Sequence, residues 1–213
     1  MKINMTLDGG IDGIGIGDGF SPTSLTGLSG WYDSGDISTI TKNGSNKVSQ
    51  WNDKSSRGLN AIQATSANQF TYSATAYSGL PGMLTGSPTS MTAGTNANWE
   101  FLHDGTGCTV FIDAVITPSQ TNNFTCLLST YDGAGADIGA AFVFENFTAT
   151  AGEFWTYVGA SSGNILTSKT GVNTVNQLQN IILQSSTQSG QTPTNCAQYI
   201  ANVYQTATGG NFS

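Results

Sequence analysis

From Phe20 onward, clusters of Gly, Asn, Ser and Pro interrupt the chain every few residues, and only short apolar or alternating runs lie between them. That punctuation leaves no stretch for a long amphipathic helix or a heptad seam and predicts an all-β protein. Strands are expected over 28–33, 47–52, 61–64, 83–84, 100–103, 109–117, 124–131, 139–145, 153–159 and 179–184, with short helical turns near 38–40 and 174–178. The clearest run is CTVFIDAVITP. Val110, Ile112, Ala114 and Ile116 alternate with Phe111, Asp113 and Val115, and Pro118 ends the run because proline cannot donate to a ladder. Many short strands in one chain predict a β-sandwich of two antiparallel sheets, a jelly roll.

The surface implied by the composition is polar but almost uncharged. Only 9% of the 213 residues are Asp, Glu, Lys or Arg, against a usual ~25%. Ten Phe, seven Tyr and four Trp supply a core, so the chain is not of the charged, aromatic-poor type that stays disordered. Such a surface suits densely packed assemblies and sugar-binding proteins, where ordering long charged side chains costs entropy. The net charge is −7 with six Lys and Arg, and no basic cluster is present to neutralise phosphates, which argues against a nucleic-acid partner. No apolar run approaches the ~20 residues of a membrane span. The N-terminal MKINMTLDGG lacks the apolar stretch of a signal peptide, so synthesis in a cytoplasm is expected. Cys108, Cys126 and Cys196 are widely spaced, and with the single His103 they make no zinc pattern. Buried thiols are the expectation, with one disulfide plus a thiol as the alternative. The sequons at Asn4, Asn43, Asn123, Asn146 and Asn211 are what chance gives in so Asn- and Thr-rich a chain.

Residues 1–20 stand apart. In LDGGIDGIGIGDGF, Gly falls at nearly every second position, with Ile11, Ile14 and Ile16 between and Phe20 at the end. Neither a phosphate loop nor the calcium-binding nonapeptide fits, despite Asp8, Asp12 and Asp18. Such a segment cannot build a core alone, but it can lie extended along another surface and pair with a sheet edge. We read it as an arm that anchors on neighbouring subunits. The alternatives are a flexible leader or a strand of its own domain.

The blocks GLSGWYDSGDISTIT, KVSQWNDKSSRGLNAIQAT, NQFTYSATAYSGLPGMLTG and CTVFIDAVITPS, in that order, resemble the laminin-G-like branch of the concanavalin A-like lectin/glucanase superfamily. Trp31, Asp33, Asp36, Trp51, Asp53, Lys54, Ser55, Gly58, Ala61, Tyr72, Leu80 and Pro81 fall in matching places, over about residues 25–135. The resemblance implies a concanavalin A-like β-sandwich over 21–213, with a strand at the Tyr72 block. It also implies further strands beyond the terminal GGNFS, supplied by a partner or by a longer polypeptide. Modules of this kind sit in many phage and other viral structural proteins.

Asp33, Asp36 and Asp53 could bind calcium through carboxylates. The simpler reading has Asp53 capping the turn DKSSRG through backbone N–H groups, with Trp31 and Trp51 packed in the core. Glycan cleavage needs two carboxylates roughly 5–10 Å apart. The Glu-x-Asp-x-x-Glu string of glucanases is missing, and the glutamates are Glu100, Glu145 and Glu153. If FVFEN and GEFWTY pair as a hairpin, Glu145 and Glu153 share a face. Glu153, Trp155 and Tyr157, with Tyr131, then offer a passive sugar-binding surface. His103 beside Asp104 reads as a turn residue, and no Gly-x-Ser-x-Gly elbow is present.

The expectation from sequence is thus a non-enzymatic virion structural protein on the particle surface, a capsid decoration or minor capsid protein made in the host cytoplasm. Its partners would be other virion proteins in an oligomer, with no nucleic acid, no membrane insertion and no cofactor unless calcium. The alternative is a carbohydrate-binding module of a tail or fibre that recognises host glycans. A glycan-cleaving enzyme stands third.

Overall fold

Tight turns and one-sided strands shape the first part of the chain. A computed structural model describes residues 21–86, 88–102, 108–115, 125–130, 139–145, 153–159, 178–185, 196–200 and 203–205. The chain divides into two compact units, Met1–Gly94 and Thr95–Ser213, a boundary inside the span expected as one sandwich. All named strand pairs are antiparallel, as expected of an all-β chain. The candidate arm residues Ile11, Ile14, Ile16 and Phe20 lie outside the described residues.

In the first unit, β1 (Ile40–Lys42), β2 (Val48–Trp51), β3 (Ala61–Ile62) and β6 (Thr92–Ala93) form a sheet in the order β1-β2-β3-β6. Register puts Ile40, Trp51, Ala61 and Ala93 in one row and Thr41, Gln50, Ile62 and Thr92 in the next. Because strand side chains alternate, the two rows face opposite ways. The first row is core: Ile40, Trp51 and Ala61 pack with Val48, Phe70 and Met83, and Tyr32, Tyr72, Met91 and Ala93 close the rim. The second row faces out, with Ile62 51% exposed.

A hairpin of β4 (Thr71–Tyr77) and β5 (Leu80–Leu84) completes this unit. Ser78 and Gly79 turn it with both φ positive, at 48° and 81°, the backbone that matches the strand twist in a two-residue loop. The resemblance implies β4, whereas the local sequence pattern marks only 83–84 of β5. The helical turn expected near 38–40 is a 3-10 turn, Ile37–Thr39, capped by the Asp36 side chain.

The expected strand 28–33 is reduced to a single β-bridge at Asp33. Its backbone groups bond elsewhere: the Trp31 N–H donates to the Asp53 carboxylate, and the Trp31 carbonyl accepts from Lys54 N–H at 2.8 Å.

In the second unit, residues 100–102 of the expected strand 100–103 are instead part of a 3-10 helix, Asn96–Leu102. Asn98 Oδ1 accepts from Thr95 N–H at 2.8 Å, a reach-back that caps the helix start. Leu102 is buried among Trp99, Phe101, Cys108, Val110 and Leu128. Strands β8 (Thr125–Ser129), β9 (Gly139–Glu145) and β10 (Glu153–Gly159) form one sheet, ordered β10-β9-β8. A second sheet, ordered β13-β12-β11-β7, joins β7 (Cys108–Val115), β11 (Leu178–Ser185), β12 (Cys196–Ile200) and β13 (Val203–Gln205). Along β7, Ile112, Asp113 and Ala114 are all buried, so both faces of this strand are covered at its middle. Among the cysteines, Cys126 is exposed rather than buried and its thiol donates to the Leu128 carbonyl, while Cys108 is half-buried. The Cys196 side chain lies outside the described residues.

Candidate functional site

The densest cluster of functional side chains is the pair of Trp–Asp units, WYD at 31–33 and WND at 51–53, and they lock into each other. Asp53 is the centre. One carboxylate oxygen accepts from Trp31 N–H and Ser55 N–H, both at 2.8 Å; the other accepts from Ser55 Oγ at 2.7 Å and Leu59 N–H at 3.0 Å. The Asp53 N–H donates to Asn60 Oδ1 at 3.0 Å. The sequence produces this geometry locally. Ser55 lies two residues on, where an aspartate naturally meets a backbone N–H. Gly58, at φ +61°, reverses the chain at the end of the turn, just before the Leu59 N–H that Asp53 accepts. The turn-capping reading of Asp53 is therefore what the structure displays, and it also reaches back to the first Trp–Asp unit.

The reciprocal bonds run the other way. Trp51 Nε1 donates to the Asp33 carbonyl at 3.3 Å, and the rings of Tyr32 and Trp51 meet edge to face with centroids 5.7 Å apart. The Tyr32 hydroxyl donates to the Leu59 carbonyl. Burial, reinforced by the charge of Asp53 and opposed by that of Arg57, holds the Tyr32 phenol well above its usual pKa, so it stays a donor.

Lys54 closes the assembly. Its ammonium lies 3.2 Å from Asp33 Oδ2, 2.8 Å from Asp36 Oδ2 and 4.2 Å from the centre of the Trp31 ring. Burial pulls the Lys54 pKa down, but the hydrogen bonds to Asp36 and Asp33 outweigh it and the net shift is upward. The hydrogen bond from Lys54, then that from Ser38, holds the Asp36 carboxyl below its usual range. Asp33 Oδ1 also accepts from Gly35 N–H at 2.8 Å, and a Cβ on Gly35 would lie 3.1 Å from that oxygen. Trp31 is consequently half-buried beneath the Lys54 ammonium; only Trp51, 2% exposed, is a core residue as expected.

These bonds decide what the cluster can do. The three aspartates read as candidate calcium ligands are engaged with N–H groups, two hydroxyls and an ammonium. Among the described residues, no group of three or more Asp, Glu, His or Cys is gathered as a metal would need. An open groove of about 530 Å³ lies alongside, between Leu25, Leu28 and the turn Ser55–Arg57, and among the described residues no carboxylate lines it. The cluster holds shape. Lys54 is the member that sequence reading did not assign, and the signal was its isolation: an ammonium inside a motif with three acids, in a chain with few charges.

The candidate sugar-binding residues lie in the second unit. β9 and β10 do pair as the expected hairpin, with Glu153 directly opposite Glu145, Trp155 opposite Val143 and Tyr157 opposite Ala141. Paired residues share a face, and so do alternate ones, so Glu145, Glu153, Trp155 and Tyr157 occupy positions on one face of this ladder. Tyr131 and His103 lie outside the described residues. Among the described residues, no helix is long and apolar enough to cross a membrane. No protein-family model, curated protein or solved structure matches the chain.

Proposed function

We propose that the chain is a non-enzymatic structural module of a virion: a concanavalin A-like jelly roll displayed on the particle surface as a capsid decoration or minor capsid protein. It is anchored through residues 1–20, with Ile11, Ile14, Ile16 and Phe20 as the apolar contacts on a neighbouring subunit. The observation that carries this reading is the interlock of the two Trp–Asp units. There, three aspartates and a lysine of a charge-poor chain bond to backbone N–H groups, to serine hydroxyls and to one another. A rigid, polar, weakly charged body with a Gly/Ile leader suits an architectural task, in which the arm and sheet edges bury surface against neighbours. The test is co-sedimentation of the purified chain with phage particles from its source. Binding that is lost when residues 1–19 are deleted, with the circular dichroism unchanged, supports the reading. Binding that survives the deletion removes the arm as anchor.

The register of β9 and β10 favours a second reading, a carbohydrate-binding module of a tail or fibre that recognises host glycans. It places Trp155 and Tyr157 along one face with Glu153 and Glu145, the stacking-plus-carboxylate combination a sugar uses. Multivalent display would raise weak contacts to useful avidity. Glycan-array signals that vanish in Trp155→Ala would favour it. Hydrolysis lost in Glu145→Gln or Glu153→Gln would instead point to a glycan-cleaving enzyme.

A further inference from the structure

The turn between β1 and β2 reads Asn43-Gly44-Ser45-Asn46, and its hydrogen bonds surround the Asn43 side-chain amide. Asn43 Oδ1 accepts from Ser45 N–H at 2.9 Å and from Lys47 N–H at 3.0 Å. Asn46 sits at φ 60° with its Oδ1 held by the Lys42 ammonium at 2.6 Å. The turn is further fixed by Asn43 N–H to the Lys47 carbonyl at 3.0 Å and Asn46 N–H to the Asn43 carbonyl at 2.9 Å. Asn43 and Gly44 are both exposed, and space around Gly44 is open, since a Cβ there would meet nothing within 4 Å. Among the described residues, none accepts the Gly44 N–H.

We infer that Asn43 is a self-modification site, converting to aspartate and isoaspartate through a cyclic imide. A base from the solvent, hydroxide or buffer, removes the Gly44 N–H proton. The nitrogen lone pair then forms a bond to Asn43 Cγ, and the carbonyl electrons move onto Oδ1. That oxygen is already held by two backbone N–H groups at the distance at which such donors stabilise a developing oxyanion. Collapse breaks the Cγ–Nδ2 bond, and the nitrogen leaves as ammonia after taking a proton from water. Water next adds to one of the two imide carbonyls and opens the ring. The net change is amide plus water to carboxylate plus ammonium, with no oxidation or reduction.

The two products differ in consequence. An aspartate at 43 keeps an acceptor for the Ser45 and Lys47 N–H groups and places a negative charge between Lys42 and Lys47. An isoaspartate inserts one more atom into the main chain and breaks the pairing of Asn43 N–H with the Lys47 carbonyl. The site is independent of the arm and of the function proposed above.

The test is peptide mass mapping of the full chain during incubation at mildly alkaline pH, with ammonia release followed in parallel. Replacement of NH2 by OH is expected at Asn43 ahead of every other asparagine, as two chromatographically distinct products. Gly44→Ala should slow it several-fold, because the added Cβ stands beside the attacking nitrogen. That variant folds without strain, because Gly44 has no positive φ and its Cβ meets open space. Retention of the amide at Asn43 in the folded chain overturns the inference, and so does conversion at an undiminished rate in Gly44→Ala.

Discussion

Replacing Asp53 by Asn is the sharpest perturbation of the interlocked motif, because it changes one atom and no volume. Asp53 is 9% exposed, and its two oxygens accept three backbone N–H groups and one hydroxyl. An amide can keep one oxygen on Trp31 and Ser55, but its NH2 then points at the Leu59 N–H and the Ser55 hydroxyl, donor against donor. Ser55 can rotate its proton away and accept instead; Leu59 N–H cannot. One orphaned, part-buried N–H costs about 1–3 kcal/mol, and bonds that lose their ionised acceptor fall from about 1.5–3 to about 0.5–1.5 kcal/mol each. With relaxation, the loss is about 2–4 kcal/mol for the first unit. Amide hydrogen exchange is the suitable assay, since it reads the donors themselves. Protection at Trp31, Ser55 and Leu59 should drop together, alongside that of the Trp51 core. A loss under about 0.5 kcal/mol, the range of an ordinary surface substitution, would refute the claim that this carboxylate organises the fold.

Other expectations follow from the same structure. Lys54→Met should lower stability and expose Trp31, read as a red shift of its fluorescence. The clamp's contribution also has a defined pH window. Asp36 is depressed in the fold, so its share is present above the ordinary value of 3.8 and disappears as pH falls through the lower folded value. Lys54 is raised, so its share is present below 10.5 and disappears as pH rises through the higher folded value. The stability gap between wild type and Lys54→Met should therefore be flat near neutrality and close at both extremes; a gap unchanged at low pH would contradict the clamp. Met83→Ala, at a side chain 0% exposed, should cost about 2–5 kcal/mol in urea unfolding. Leu80→Ala, 41% exposed, should cost under about 0.5 kcal/mol. Gly58→Ala forces a Cβ into positive φ and should cost about 1–2 kcal/mol, seen as a lowered midpoint.

The sequence was readable where a residue's local chemistry decides its structure. The bounds 139–145 and 153–159 match β9 and β10, because runs rich in aromatic and β-branched residues, Phe142–Phe144 and Phe154–Val158, end at Asn146 and at Gly152 and Gly159. Asp53 two residues before Ser55 announced its cap. Reading failed where tertiary bonds override pattern. The segment 28–33 looks like a strand, yet Trp31 bonds to a side chain and a turn instead of a ladder. The segment 100–103 also looks extended, but Trp99 and Leu102 are spaced as on a helix, and Asn98 caps that helix at Thr95. Lys54 escaped because its partners Asp33 and Asp36 are about twenty residues away in sequence, which no local pattern reports.

Sedimentation velocity of the full chain, beside a variant starting at Phe20, tests the architectural role most directly. The account predicts that the full chain forms a discrete oligomer at micromolar concentration, and that the shortened chain is a folded monomer with the same hydrogen-exchange protection at Trp31, Ser55 and Leu59. Two monomers of equal behaviour, or two oligomers of equal size, would contradict an anchoring arm and leave the second proposal, glycan binding by the β9–β10 face, as the better account.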